Sequence, residues 1–225
     1  MSAARGDALI RELDRRFVVV TDRVYFGATS FDVQHPRSAE ELISEEDFAR
    51  DERLPYWAAI WPSSIILAGR LLEEPGAGRH LLELGCGLGL ATMAAMRMGF
   101  QVLATDYYED ALHFTRANAW RAFGREPKTR LVDWRALPDD LDRFDRVVAA
   151  DVLYERPYAQ FVAQAIARTL ASTGEATVAD PGRVAAGDFV EQCEASGLTA
   201  GAAEVRPFVS GTVRQRITLY VVRRA

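Results

Sequence analysis

Residues 81–90 read LLELGCGLGL: a short apolar run, then glycine at 85, 87 and 89, then at once the helical pattern ATMAAMRM. A strand that turns through alternate glycines straight into a helix brings bare backbone close to whatever lies above it. The turn also commits the chain to a βα unit. The same alternation continues downstream, with apolar runs at QVLAT (101–105), RLV (130–132), RVVAA (146–150) and ATVA (176–179) separated by amphipathic stretches. Such spacing predicts βαβ units around a parallel sheet. Gly99, Gly124, Gly174 and Gly197 each stand where a helix C-cap takes a left-handed residue. The stretches LTAGAAEVRPF and TVRQRITLYVVRR, joined by a loop around Val209 to Gly211, read as an antiparallel hairpin. The fold class is therefore α/β.

Ahead of residue 80 the pattern is less regular. A first helix runs to about Arg16, FVVV and DRVYFG are β-prone, and PRSAEELISEEDFARDERLP is an acidic stretch that reads as a lid. Pro62 suits the first turn of a helix running to about Glu74. With 49% hydrophobic residues in 225, the chain can bury a full core without disulfide or metal support. We therefore expect a single domain over 1–225, with 1–60 as N-terminal cap and lid and 61–225 as the ligand-binding core.

Partners are bounded by charge and by what is missing. A formal net charge of -5 argues against a nucleic-acid partner, and no apolar run approaches the roughly 18 residues of a membrane span. Cys86 and Cys193 form no CxxC pair, and His35, His80 and His113 lack ligand spacing, so neither a disulfide framework nor a metal site is expected. The N-terminus has no secretory pattern, and a cytoplasmic protein is the expectation. Oligomeric state has no sequence signature.

The glycine loop excludes two common ligands. A dinucleotide fingerprint needs Gly or Ala three residues after the second glycine, but that position is Leu90 or Thr92, depending on the starting glycine. No Gly-Lys-Ser/Thr follows, so a phosphate-cradling P-loop is excluded as well. Asp106 ends the second strand about 20 residues on, where a carboxylate accepts ribose hydroxyls. Glu83, otherwise a solvent-facing strand residue, puts a negative charge beside the loop, which disfavours phosphate and favours a cationic ligand. S-adenosylmethionine has the ribose, the ammonium and the sulfonium, and no phosphate.

The segments ELGCGLG, Asp106 after VLAT and the terminal hairpin resemble the class I S-adenosylmethionine-dependent methyltransferases over residues 60 to 222. More specifically, PYWAAIWP, the VDW of 132 to 134 and ADVLYE at 150 to 155 resemble the DxxY group of seven-strand methyltransferases, many of them protein-lysine methyltransferases. Bacterial relatives of the electron-transfer-flavoprotein β-subunit lysine methyltransferase are similar. The resemblance implies a Rossmann-like seven-strand sandwich, mostly parallel with one antiparallel strand, plus an N-terminal cap. It implies cofactor-binding roles for Trp61, Gly85, Gly87, Asp106, Trp134 and Ala150, with Glu83 beside them. Asp133 either meets the adenine amino group or caps a turn.

Asp151 and Tyr154 lie at the tip of the fourth strand of the core, where open α/β sheets handle ligands. They are the candidate catalytic pair, orienting an incoming amine. A carboxylate alone raises the pKa of an amine and opposes its deprotonation, so an apolar surround must counteract it; Tyr154, Trp57 and Tyr56 are candidates. The implied reaction is N-methylation of a protein lysine. N-methylation of a small nicotinamide-like amine, or a binding module without turnover, are the alternatives. Met93, Met96, Met98 and Cys86 read as packing residues. The DPGR turn at 180–183 carries Arg183 to the same face but reads as an ordinary turn and stays outside the site.

Overall fold

The protein, described from a computed structural model, is resolved into elements over residues 3–39, 42 and 55–225. Helix α1 (Ala3–Arg16) is followed by the hairpin β1 (Val19–Phe26) and β2 (Thr29–Pro36), which form a two-stranded sheet of their own. After a 3-10 turn at Tyr56–Ala58 come α2 (Pro62–Leu71), β3 (His80–Leu84), α3 (Leu90–Arg97), β4 (Gln101–Asp106), α4 (Glu109–Phe123) and β5 (Lys128–Leu131). A second 3-10 turn at Trp134–Ala136 leads to β6 (Phe144–Ala150), α5 (Pro157–Thr169), β7 (Leu170–Asp180), α6 (Ala186–Ala195), β8 (Leu198–Ser210) and β9 (Val213–Arg224).

The main sheet has seven strands in the order β5-β4-β3-β6-β7-β9-β8. Strands β3 to β7 pair in parallel, and β9 is antiparallel to both β7 and β8. The expected class is therefore observed, with β9 as the one antiparallel strand. Strand order reverses at β3, whose neighbours β4 and β6 send the chain in opposite directions. A crevice opens there beyond the carboxyl ends of the strands.

Alternate residues of each strand feed two cores, one per face. Leu81, Val102, Ala104 and Val148 pack with Leu67, Met93 and Phe114 from α2, α3 and α4. Leu82, Leu84, Val147 and Val178 pack with Val162, Ile166 and Phe189 from α5 and α6. Covering both faces is what lets these strands be near-continuous apolar runs. Met93 and Met96 are buried and Met98 packs at the margin, as the packing reading requires.

The N-terminal elements lie behind the glycine loop. Backbone N–H of Gln34 donates to Oδ1 of Asn118 at 2.8 Å, and Nδ2 of Asn118 donates to the carbonyls of Gln34 (3.0 Å) and Leu88 (2.9 Å). One fully buried amide thereby ties β2, α4 and the loop together. Phe17 extends the contact through edge-on packing against Phe114 and Trp57.

Three sequence expectations change. Gly174 does not stop a helix: α5 ends at Thr169, and Gly174 lies inside β7, where a Cβ would come within 2.9 Å of the Phe144 carbonyl oxygen. The close approach of β6 at a register shift, not a left-handed cap, requires glycine there. Helix α2 stops at Leu71 rather than near Glu74, because Glu73 and Glu74 donate to carbonyls only three residues back, ahead of Pro75. Of the expected lid at 36–55, Pro36 ends β2, and residues 40–41 and 43–54 lie outside the described residues. Among the described residues no helix is long and apolar enough to cross a membrane.

Candidate active site

All ten residues singled out in the sequence line one cleft at the carboxyl end of the sheet, with a cavity volume of about 200 Å³. Trp61, Glu83, Gly85, Gly87, Asp106, Asp133, Trp134, Ala150, Asp151 and Tyr154 come from five different segments. The parallel sheet brings them together because β3, β4, β5 and β6 all end at the same edge.

The floor is the glycine loop. Gly87 has φ +51°, and a Cβ on it would stand 3.2 Å from the backbone oxygen of Trp57. Gly85 has φ +71°, and its Cβ would meet the ring of Trp134 and the side chain of Val152 at 3.2 Å. Both the left-handed backbone and the lack of space exclude a side chain. Asp106 fastens the loop to β4: Oδ2 accepts the N–H of Gly87 at 2.9 Å and Oδ1 that of Tyr108 at 3.0 Å. Burial raises its pKa, partly offset by those two N–H groups.

Glu83 is not solvent-facing: it is 2% exposed and accepts a hydrogen bond from Thr92 Oγ1. A strand covered on both faces leaves no wet side. Desolvation pushes its pKa up to about 8, opposed by the Thr92 hydroxyl and reinforced by the nearby Asp106. Cys86 is buried beside them, and desolvation raises its thiol pKa well above the ordinary value. It is a packing residue with an inert thiol.

Asp133 caps the turn after β5, its Oδ1 accepting the N–H of Arg135 at 2.9 Å while the carboxylate pairs with that guanidinium at 2.7 Å. Trp134 stands across from Gly85, and its Nε1 is buried with no protein acceptor. A cradle of side-chain-free backbone, a carboxylate at the end of β4 and an orphaned indole N–H suit a nucleoside with a short polar tail.

At the other end, Asp151 is the non-glycine residue with positive φ, +59°, among the described residues. Asp tolerates this conformation better than most side chains, and such outliers concentrate at functional sites. Its N–H donates to the Ala179 carbonyl at 2.9 Å, fixing the turn to β7. Its carboxylate accepts from Arg183 Nε at 2.6 Å and from Ser63 Oγ at 3.2 Å. Around it Tyr56, Tyr154 and Tyr158 stack in sequence, with centroids 5.5 Å and 4.6 Å apart, and Trp61 meets Tyr56 at 6.2 Å.

Sequence reasoning missed Tyr158 and Ser63 and left Arg183 outside the site. Trp57 lines the cleft while packing its ring against Phe114, and Tyr158 on α5 adds to the wall. Ser63 and Arg183 both contact Asp151, from 88 and 32 residues away. The signal for Ser63 is its place after Pro62 at the start of a helix aimed at the cleft; that for Arg183 is the Asp-Pro-Gly turn at the active edge, which reads as an ordinary turn.

Residues 81–174 match the family model described as a methyltransferase domain. Over 133 residues the chain is 32% identical to the electron transfer flavoprotein beta subunit lysine methyltransferase of Danio rerio, covering 57% of this chain and 51% of the relative. It is 28% identical over 115 residues to protein-lysine methyltransferase METTL21E of Mus musculus, covering 46% and 47%. The chain spans about half the length of these curated relatives. The crystal structure of magnesium protoporphyrin IX methyltransferase (ChlM) from Synechocystis PCC 6803 with bound SAM superposes with a TM-score of 0.58 at 18% identity, covering 80% of this chain and 86% of that one.

The chain is thus similar to methyltransferase domains over residues 81–174, and its fold is similar to that of ChlM. Both curated relatives named above are protein-lysine methyltransferases.

Proposed function

We propose that the protein is an S-adenosylmethionine-dependent methyltransferase that N-methylates a lysine side chain of a protein substrate. The observation that carries this reading is the shared cleft: Asp151 and the tyrosine wall open onto the same cavity whose floor is Gly85, Gly87 and Asp106. The protein-lysine methyltransferase names of the aligned relatives support the acceptor class. The SAM bound to the similarly folded ChlM supports the cofactor.

In this reading Asp106 accepts the ribose hydroxyls with the lone pairs its two N–H partners leave. Trp134 and Asp133 take the adenine, while Gly85, Gly87, Glu83, Trp61 and Ala150 enclose the methionine portion. When bound, the cofactor supplies a methyl group already activated on a sulfonium, so no nucleophilic side chain is required of the protein. What the chain must do is align an amine, exclude water and favour the amine's neutral form. Asp151 and Tyr154 orient the amine, and the ring wall of Tyr56, Tyr154, Tyr158 and Trp61 keeps water out. Residues 61–225 form the catalytic core, with 1–60 as its cap. The two cysteines are free and buried, which supports a reducing, cytoplasmic setting.

The test is transfer of labelled methyl groups from S-adenosylmethionine into a desalted lysate of the source organism, with and without added small metabolites. Label on a discrete protein, mapped to lysine and absent with Asp151→Asn, is the expected result. Label confined to small molecules would replace the protein acceptor with a small amine. Absence of both transfer and cofactor binding would overturn the reading.

A further inference from the structure

Arg183 occupies the two places that a cation entering the acceptor end of the cleft would seek. Its Nε lies 2.6 Å from Oδ1 of Asp151, and its Cζ lies 5.2 Å from the ring centroid of Trp61. The guanidinium is aimed there by its own turn. Asp180, fully buried at the end of β7, accepts the N–H groups of Gly182 at 2.7 Å and Arg183 at 2.8 Å. Ser63 holds the second carboxylate oxygen of Asp151, so the pair is clamped from both sides.

We propose that Arg183 is a positioning residue that neutralises Asp151 and so makes the acceptor end of the cleft select a neutral primary amine over the corresponding ammonium. This rests on the amine-methylating reading above. An amine attacks only through a free lone pair, and a bare carboxylate in a dry site holds that lone pair protonated. With Arg183 in place the Asp151–Arg183 pair carries no net charge, and the aromatic wall penalises a further cation through desolvation.

Among the described residues, no other group on the surrounding elements does this work. The loop after β6 contributes Glu155 and Tyr154, the turn before α2 contributes Tyr56, and α5 contributes Tyr158. Strand β7 contributes Asp180, and Asp188 of α6 lies 3.5 Å from Arg156. The cofactor floor holds Glu83 and Asp106. Arg135, a basic side chain that lines the cleft, is already paired with Asp133. Apart from Arg156, which pairs with Asp188, the remaining ionisable groups named here are acids or phenols, so removing Arg183 leaves Asp151 without a cationic partner.

The prediction is read with n-butylamine, a lysine side-chain mimic, bound to protein loaded with S-adenosylhomocysteine and followed by saturation-transfer NMR between about pH 7 and pH 11. For the unaltered protein, apparent affinity is expected to rise about tenfold per pH unit until the amine, with a pKa near 10.4 in its lysine counterpart, is neutral. Arg183→Gln, and Arg183→Met, which keeps an apolar stem against Trp61, are expected to bind about tenfold more tightly near neutral pH and to lose that rise. Arg183→Lys should retain it. Identical profiles for the protein and both neutral variants would overturn the proposal, as would tightest binding by the unaltered protein at neutral pH or no binding by any of them. Cofactor loading is measured separately: its failure sinks the methyltransferase reading, while the amine titration on the unloaded protein still decides the role of Arg183.

Discussion

Gln34 and Asn118 exchange two hydrogen bonds across 84 residues of sequence, and the same Asn118 amide reaches the Leu88 carbonyl of the glycine loop. A residue on the cap and a turn of the cofactor floor thus share one buried side chain. Asn118→Leu keeps the volume but strips the partners from three backbone groups. It is expected to cost about 2–4 kcal/mol, at 1–3 kcal/mol for each buried group left unsatisfied after partial relaxation. Urea denaturation checks it; a loss below about 1 kcal/mol would show that water replaces the amide.

Gly87→Ala tests the cradle. A left-handed alanine costs about 1–2 kcal/mol, and its methyl would press on the Trp57 carbonyl oxygen at 3.2 Å. Affinity for S-adenosylhomocysteine by calorimetry should fall about tenfold or more. Unchanged affinity would mean that the loop does not touch the ligand.

Glu83 gives a pH prediction with a definite sign. Burial raises its carboxyl to about 8 in the folded chain, whereas the unfolded value is near 4.5. The folded state therefore holds a proton that the unfolded chain gives up. This contribution is complete below about pH 4.5 and is lost as pH rises towards 8. Glu83→Gln keeps an acceptor for Thr92 and removes the titration. Relative to the unaltered protein, the variant should gain stability on the order of a few kcal/mol between those limits. A constant difference across that range would mean that Glu83 does not titrate with folding.

Asp151→Asn keeps a residue tolerant of positive φ while removing the charge that pairs with Arg183. Methyl transfer should fall about 100-fold or more, since small misplacements at a reacting centre cost that much. Affinity for S-adenosylhomocysteine should stay within about threefold, because the proposed function assigns the cofactor to Asp106 and the glycine loop. Parallel loss of both would move Asp151 to the cofactor side.

Much of this architecture was legible because it is local. Apolar runs gave the strands of the core, and ELGCGLG together with Asp106 gave the floor of the cleft, since a turn and the strand after it are neighbours in sequence as in space. Gly174 was misread for the same reason: a glycine after a helix looks like a cap, whereas its cause is the Phe144 carbonyl from another strand. The Asp151–Arg183 pair was only half visible. Asp151 reads as a catalytic residue at a strand tip and Arg183 as part of an ordinary turn, and only the adjacency of β6 and β7 makes one the partner of the other.

Strand β9 stands between β7 and β8, although β8 precedes it in the chain. During synthesis, therefore, β8 emerges before the strand that it must pair with, and β7 waits with one edge uncovered. Neither β8 nor the closed sheet can form by simple addition in the order of translation. Until β9 inserts, a long unpaired strand and an open sheet edge are available to chaperones or to a neighbouring nascent chain.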